Sequence, residues 1–220
     1  MKKILLLIAA VIATLAVSRN TFAQEVITKK GYTLTFENNY AALNPALKQR
    51  LIETFFEVYP KLATEYNKNT SRKVTIAVDT AYKGVAATSN ARVVISSVWM
   101  QKRPEDIDVV THEVMHIVQD YGQSTGPGWL TEGIADYARY KFGVDNATAK
   151  WALTGYKPGQ NYTQSYRTTA GFLNWVEKSK HAGTVKVLDS KMREHTYTPE
   201  IWKAQTGETL DELWTDYTKS

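Results

Sequence analysis

His112 and His116 stand four residues apart, with Glu113 beside the first, in the run Val110-Thr111-His112-Glu113-Val114-Met115-His116-Ile117-Val118-Gln119. Residues four apart share one face of a helix, so both imidazoles can aim at a single ion. Zinc accepts neutral imidazole nitrogen and carboxylate oxygen, and a catalytic zinc keeps a further position for water. Glu113, at the margin of that face, is placed to take a proton from the activated water. Glu132 and Asp136 repeat the four-residue spacing further along. One of the two can bind the metal while the other accepts the N–H of a ligating histidine and orients it. We assign Glu132 to the metal and Asp136 to the histidine; the spacing alone also allows the reverse.

The elements that must hold these residues are legible in outline. The run from Arg103-Pro104-Glu105-Asp106 to Gly122 reads as one helix, with proline and acids in its first turn and glycine as its stop. It is apolar nearly all round, which predicts burial. Buried imidazoles and a buried carboxylate need partners, and a metal ion is the obvious one. Residues 129–142, closed by Gly143, form the second helix, which carries Glu132 and Asp136. Ahead of the pair, residues 31–36, 73–78 and 91–97 alternate as strands, with 85–87 a short extra strand. An antiparallel sheet is expected, with an edge that can hold an extended peptide. Residues 24–30 read as a leader to the fold.

Asn44 caps a long helix with Pro45 at its first position, and Pro60 should kink or divide it. After the site, residues 146–153, 166–177, 184–193 and 210–217 read as helices, with a Gly-, Pro- and Tyr-rich loop at 155–163 expected near the mouth of the site. The class is therefore α+β, a small N-terminal sheet packed on a central zinc-binding helix and followed by a mostly helical C-terminal half.

Composition narrows the function further. Apolar residues at 43% and charged residues at 22% are ordinary for a globular domain. The chain has no cysteine, which excludes disulfides, thiol nucleophiles and thiolate zinc ligands. Lys2 and Lys3 precede an apolar run at residues 4–17, and Thr21-Phe22-Ala23 ends in residues of the kind a signal peptidase reads. That run is shorter than the roughly 20 residues of a membrane span. A cleavable signal peptide at residues 1–23 and a single exported domain at residues 24–220, secreted or periplasmic, are the expectation. Lys2, Lys3 and Arg19 carry three of the five net positive charges, so the mature chain stands near +2. So small a charge gives no reason to expect nucleic acid as a partner, and no membrane partner is expected after signal cleavage. Nothing in the sequence specifies an oligomeric state.

Residues 111–119 followed by 129–137 resemble the gluzincin pattern of zinc peptidases. That resemblance implies a zincin-like fold, Glu132 as third zinc ligand and Asp136 hydrogen-bonded to His112. A fuller resemblance is to the basic secretory protein family of plants and bacteria, regarded as zinc peptidases. It is carried by His112-Glu113-x-x-His116-x-x-Gln119, by Glu132-Gly133-Ile134-Ala135-Asp136-Tyr137, by Thr169-Ala170-Gly171-Phe172-Leu173-x-Trp175 and by Leu210-Asp211-Glu212-Leu213-Trp214.

The expected activity is zinc-dependent hydrolysis of a protein or peptide substrate, with His112, His116 and Glu132 on Zn2+ and Glu113 as general base. Such chemistry also needs a donor for the oxyanion. Tyr166 is the first choice, with Tyr162 and His181 behind it. Two other classes use the same residues: a zinc-stabilised binding or adhesion module without turnover, and a zinc hydrolase of some non-peptide amide or ester.

Overall fold

The computed structural model describes residues 23–122 and 126–220. The expected signal segment lies outside the described residues except for Ala23, as do residues 123–125 of the loop before the second site helix. The arrangement is α+β: a five-stranded sheet in the first half and helices throughout the second.

Strand β1 (Ala23–Lys29) and strand β2 (Tyr32–Asn38) form an antiparallel hairpin closed by Lys30 and Gly31. Both closing residues have positive φ, 54° and 77°, the geometry a two-residue hairpin turn requires. The supposed leader is thus an edge strand. Most of its side chains are exposed, so it shows no hydrophobic alternation to read. Helix α1 (Pro45–Glu65) then crosses over to β3 (Lys73–Asp79), which runs parallel to β2. β5 (Arg92–Ser96) is parallel to β3, and β4 (Ala86–Ser89) pairs antiparallel with β5, giving the order β1-β2-β3-β5-β4. The sheet is therefore mixed and not antiparallel as expected. The long crossover through α1 is what a parallel neighbour needs.

Asn44 caps α1 as expected, its Oδ1 accepting from the N–H of Ala46 at 2.8 Å. Pro60 does not divide the helix. Its missing N–H leaves the Phe56 carbonyl without its helical donor, and Lys30 Nζ supplies one at 3.1 Å. The buried face of α1, including Leu51, Phe55, Tyr59 and Leu62, covers the sheet and the central helix.

The run expected as one helix from residue 103 is helical only from Val109, with residues 103–108 in turns. Helix α2 (Ser97–Lys102) ends before Pro104, and α3 (Val109–Gln119) carries the histidines. Helix α3 stops at Asp120, which adopts the left-handed conformation with φ of 45°, two residues ahead of the expected glycine. Every residue of α3 except His116 is buried. Helix α4 (Gly128–Phe142) follows and ends on Gly143. Residues 146–153 form turns instead of the expected helix, because Arg139 and Asn146 bond to each other twice and hold the chain in a compact return.

The rest is α5 (Tyr166–Ser179), α6 (Thr184–Arg193), α7 (Glu200–Thr206) and α8 (Leu210–Tyr217). Phe172 of α5 is the centre of an aromatic cluster, with ring centroids at 5.3 Å to Trp214, 5.6 Å to Tyr217 and 5.8 Å to Trp202. Gly133 lets α5 lie close on α4: a Cβ there would stand 2.2 Å from Thr169 Cγ2. No helix among the described residues is long and apolar enough to cross a membrane.

Candidate metal centre

The antiparallel helices α3 and α4 are joined by polar contacts along their length. At one end Asp108 accepts from Thr111 Oγ1 at 2.7 Å and from the N–H groups of Val144 and Asp145 at 2.9 and 2.6 Å. Beside it Asp106 accepts from Arg139 Nη2 and from Trp99 Nε1, the latter at 3.0 Å. In the middle His112 Nδ1 meets Asp136 Oδ1 at 2.7 Å. At the far end His116 Nδ1 lies 2.6 Å from Gln119 Oε1, and Gln119 Nε2 donates to the Thr131 carbonyl at 2.8 Å.

These contacts occupy both Nδ1 atoms and turn both Nε2 atoms toward Glu132. His112 Nε2 and His116 Nε2 are 3.2 Å apart, and Glu132 Oε2 is 3.3 Å from the first and 3.6 Å from the second. Donors of a tetrahedral zinc site with bonds of about 2.0–2.1 Å stand about 3.4 Å apart. The three atoms have that spacing, and as two imidazole nitrogens and one carboxylate oxygen they are a donor set that zinc accepts. The geometry brings Glu132 Oε2 into the triangle and puts Asp136 behind His112.

The electrostatics match this grouping. Burial alone disfavours an imidazolium at His112, but the hydrogen bonds it donates to Asp136 and Glu132 outweigh that and push its pKa up to about 10. Burial likewise works against the Glu132 carboxylate, and the two histidines more than compensate, holding it far below the usual range.

Glu113 is 6% exposed and lies beside the triangle. Its Oε2 accepts from Thr88 Oγ1 at 2.6 Å, so strand β4 holds the carboxylate from across the cleft. Tyr166 opens α5 with its ring parallel to His112, centroids 6.2 Å apart. Its hydroxyl pKa is raised, chiefly by the charge of Glu132 and then by burial, so it stays an O–H donor. Ser165 (φ 63°, ψ −176°) and Tyr166 (φ 49°) both sit in backbone regions that side chains disfavour, the cost of starting α5 at this point.

The other two oxyanion candidates are elsewhere. Tyr162 packs against Trp129 and donates to Asp211 Oδ1 at 2.9 Å, and His181 lies at the α5–α6 turn against Thr184. Nor does the loop at residues 155–163 reach the cleft; its Tyr156 and Tyr162 turn into the aromatic cluster.

A cleft of about 1280 Å³ runs over α3, with His112, Glu113, His116 and Glu132 in its floor, strand β4 along one wall and Tyr166 on the other side. Two residues of this site were not picked out by spacing. Gln119 had a signal, since three residues after His116 is the same helical face. Thr88 had none, because only the folded sheet brings β4 to α3.

The family model described as "Peptidase of plants and bacteria" matches residues 14–217. No curated protein matches the chain. Among solved structures, the M1 zinc metallopeptidase from Deinococcus radiodurans is similar at 14% identity with a TM-score of 0.48, over 90% of this chain and 50% of that one. A mutant of that enzyme bound to a Tyr-Ser-Ala substrate gives 13% identity and a TM-score of 0.46, over 90% and 48%. The chain spans about half the length of these structures. The family match extends over nearly the whole chain and takes in the two site helices, so the chain belongs to the peptidase family of plants and bacteria, the basic secretory protein family.

Proposed function

We propose that this chain is an exported, zinc-dependent peptidase with Glu113 as its general base. The observation that carries the reading is the donor triangle of His112, His116 and Glu132 at tetrahedral spacing, beside a buried carboxylate in an open cleft. Zinc bound there supplies a Lewis acid and lowers the pKa of water. Asp136 keeps His112 in the tautomer that offers Nε2. Thr88 holds Oε2 of Glu113, which leaves Oε1 to accept the proton of the attacking water and return it to the leaving amine.

The substrate lies along β4. Among the described residues this strand pairs with β5 alone, which leaves its other edge without a partner strand there, and residues 85–91 line the cleft. An extended peptide added there gains main-chain hydrogen bonds and brings its carbonyl over the triangle. The Tyr166 hydroxyl donates to the oxyanion as it forms. Export rests on the N-terminal pattern at residues 1–23, and the mature protein begins at Gln24, which an intact mass of the exported form checks.

Glu113→Gln tests the mechanism. Zinc content should be unchanged while hydrolysis of a casein-type substrate falls by about 10²–10⁴-fold. Wild-type activity in that variant would sink the mechanism. Zinc on a wild type that turns nothing over would favour the binding-module reading instead.

A further inference from the structure

We infer that Gln119 is the positioning residue that presents His116 to the metal and registers α3 against the helix that carries Glu132. The inference rests on the metal-centre reading and adds a residue to it. Gln119 is 1% exposed and, besides its bond to the Tyr121 hydroxyl, makes two directed contacts within the site. The Thr131 carbonyl can only accept, so the Gln119 amide must turn its NH2 toward it, at 2.8 Å. That choice fixes the amide the other way round at His116, where Oε1 stands 2.6 Å from Nδ1. An amide oxygen can only accept as well, so His116 carries its proton on Nδ1 and offers Nε2 to the donor triangle. Thr131 immediately precedes Glu132, so a single side chain links the second imidazole to the backbone of the third ligand.

The two histidines are therefore held by different chemistry. His112 is oriented by the carboxylate of Asp136, which reaches across from α4. His116 is oriented by a neutral amide of its own helix, which then reaches across to α4. Gln119 sits in the last turn of α3, next to the left-handed Asp120, and Arg193 Nη1 binds its carbonyl at 3.3 Å. The helix end that carries the clasp is thereby held from outside as well.

Zinc affinity, measured by competition with a chromophoric chelator, separates the two contacts. Gln119→Met fills similar space but loses both, and should bind zinc about 10–100-fold more weakly than wild type. Gln119→Glu still faces Nδ1 with an oxygen in either charge state, and should stay within about threefold of wild type on the same scale. Equal weakening in both variants would overturn the orienting role, because loss of packing or of the Thr131 contact alone would then suffice. Unchanged affinity in Gln119→Met would overturn it too.

Should Gln119→Met fail to fold, the nitrogen-15 spectrum of the zinc-loaded wild type decides. A protonated Nδ1 on His116 supports the assignment, and a protonated Nε2 overturns it. A wild type that binds no zinc would overturn the metal-centre reading and this inference together. Zinc on the wild type and equally on Gln119→Met would overturn this inference alone.

Discussion

The seam between α3 and α4 and the cluster around Phe172 both centre on buried residues, but they are built from opposite chemistry. The seam buries Asp106, Asp108, His112, Gln119, Asp136 and Arg139, each with a directed partner. The cluster brings together Tyr162, Phe172, Trp175, Trp202, Trp214 and Tyr217, ring against ring. Aromatic contacts are only weakly directional and supply stability through buried area. Hydrogen bonds to buried polar groups contribute little net stability, yet they set where an atom points. A metal centre would need its donors placed to a few tenths of an ångström, and the candidate donors lie on the seam while the aromatic cluster supports α5.

Substitutions should separate the two regions. Phe172→Ala should cost about 3–5 kcal/mol, the usual range for a buried phenylalanine. In a chain of this size that lowers Tm by about 6–20 °C. Zinc affinity of the folded fraction should stay within about threefold of wild type, against the about 10–100-fold range of contacts behind a ligand. A large loss of zinc would mean that the cluster also sets the site.

The next largest effect is a pH dependence from a buried carboxyl next to the end of α3. Asp189 of α6 is fully buried, accepts from Tyr121 at 2.9 Å and pairs with Arg193, which holds the carbonyls at the end of α3. Burial pushes its pKa up to about 6, with Arg193 and Tyr121 offsetting only part of the rise. Below about pH 4 the carboxyl is protonated in both states, and between pH 4 and 6 only the unfolded chain releases its proton. Stability from this group is therefore present at low pH and lost as pH rises through 6, by about 3 kcal/mol in all. Urea unfolding of the metal-free wild type and of Asp189→Asn across that range should show their difference shifting by that amount; parallel curves would contradict it.

The smallest effect is the most local. Asp136→Ala should weaken zinc binding by about 10–100-fold. The Tm of the metal-free protein should move less than in Phe172→Ala, as differential scanning calorimetry would show. The reverse pattern would make Asp136 a strut and not an orienter.

What could be read in the sequence follows the same division. The spacing of His112 and His116, the Asn44-Pro45 start of α1 and the bounds of α6 and α8 were legible because each is a local rule of helix geometry. Of the cluster, Phe172, Trp175 and Trp214 lie in the motifs that carry the family resemblance, but nothing in the sequence marked them as neighbours. Strand β1 was not legible because an edge strand facing solvent on most positions carries no alternation. The parallel pairing of β2 with β3 was invisible for a related reason: alternation reports a strand and not its neighbour. Glu132 and Asp136 share one spacing in the sequence, and only the fold separates their surroundings: a Glu132 oxygen lies near both Nε2 atoms and an Asp136 oxygen at His112 Nδ1. Thr88 lies 25 residues from the carboxylate it holds, and no pattern in the chain links them.

The most direct measurement of the central claim is an anomalous difference map at the zinc edge from crystals of the zinc-loaded protein. A single peak should lie about 2.0–2.2 Å from His112 Nε2, His116 Nε2 and a Glu132 carboxylate oxygen, with Asp136 on His112 Nδ1 behind it. A peak bound to Asp136 in place of Glu132, or no peak between α3 and α4, would contradict it.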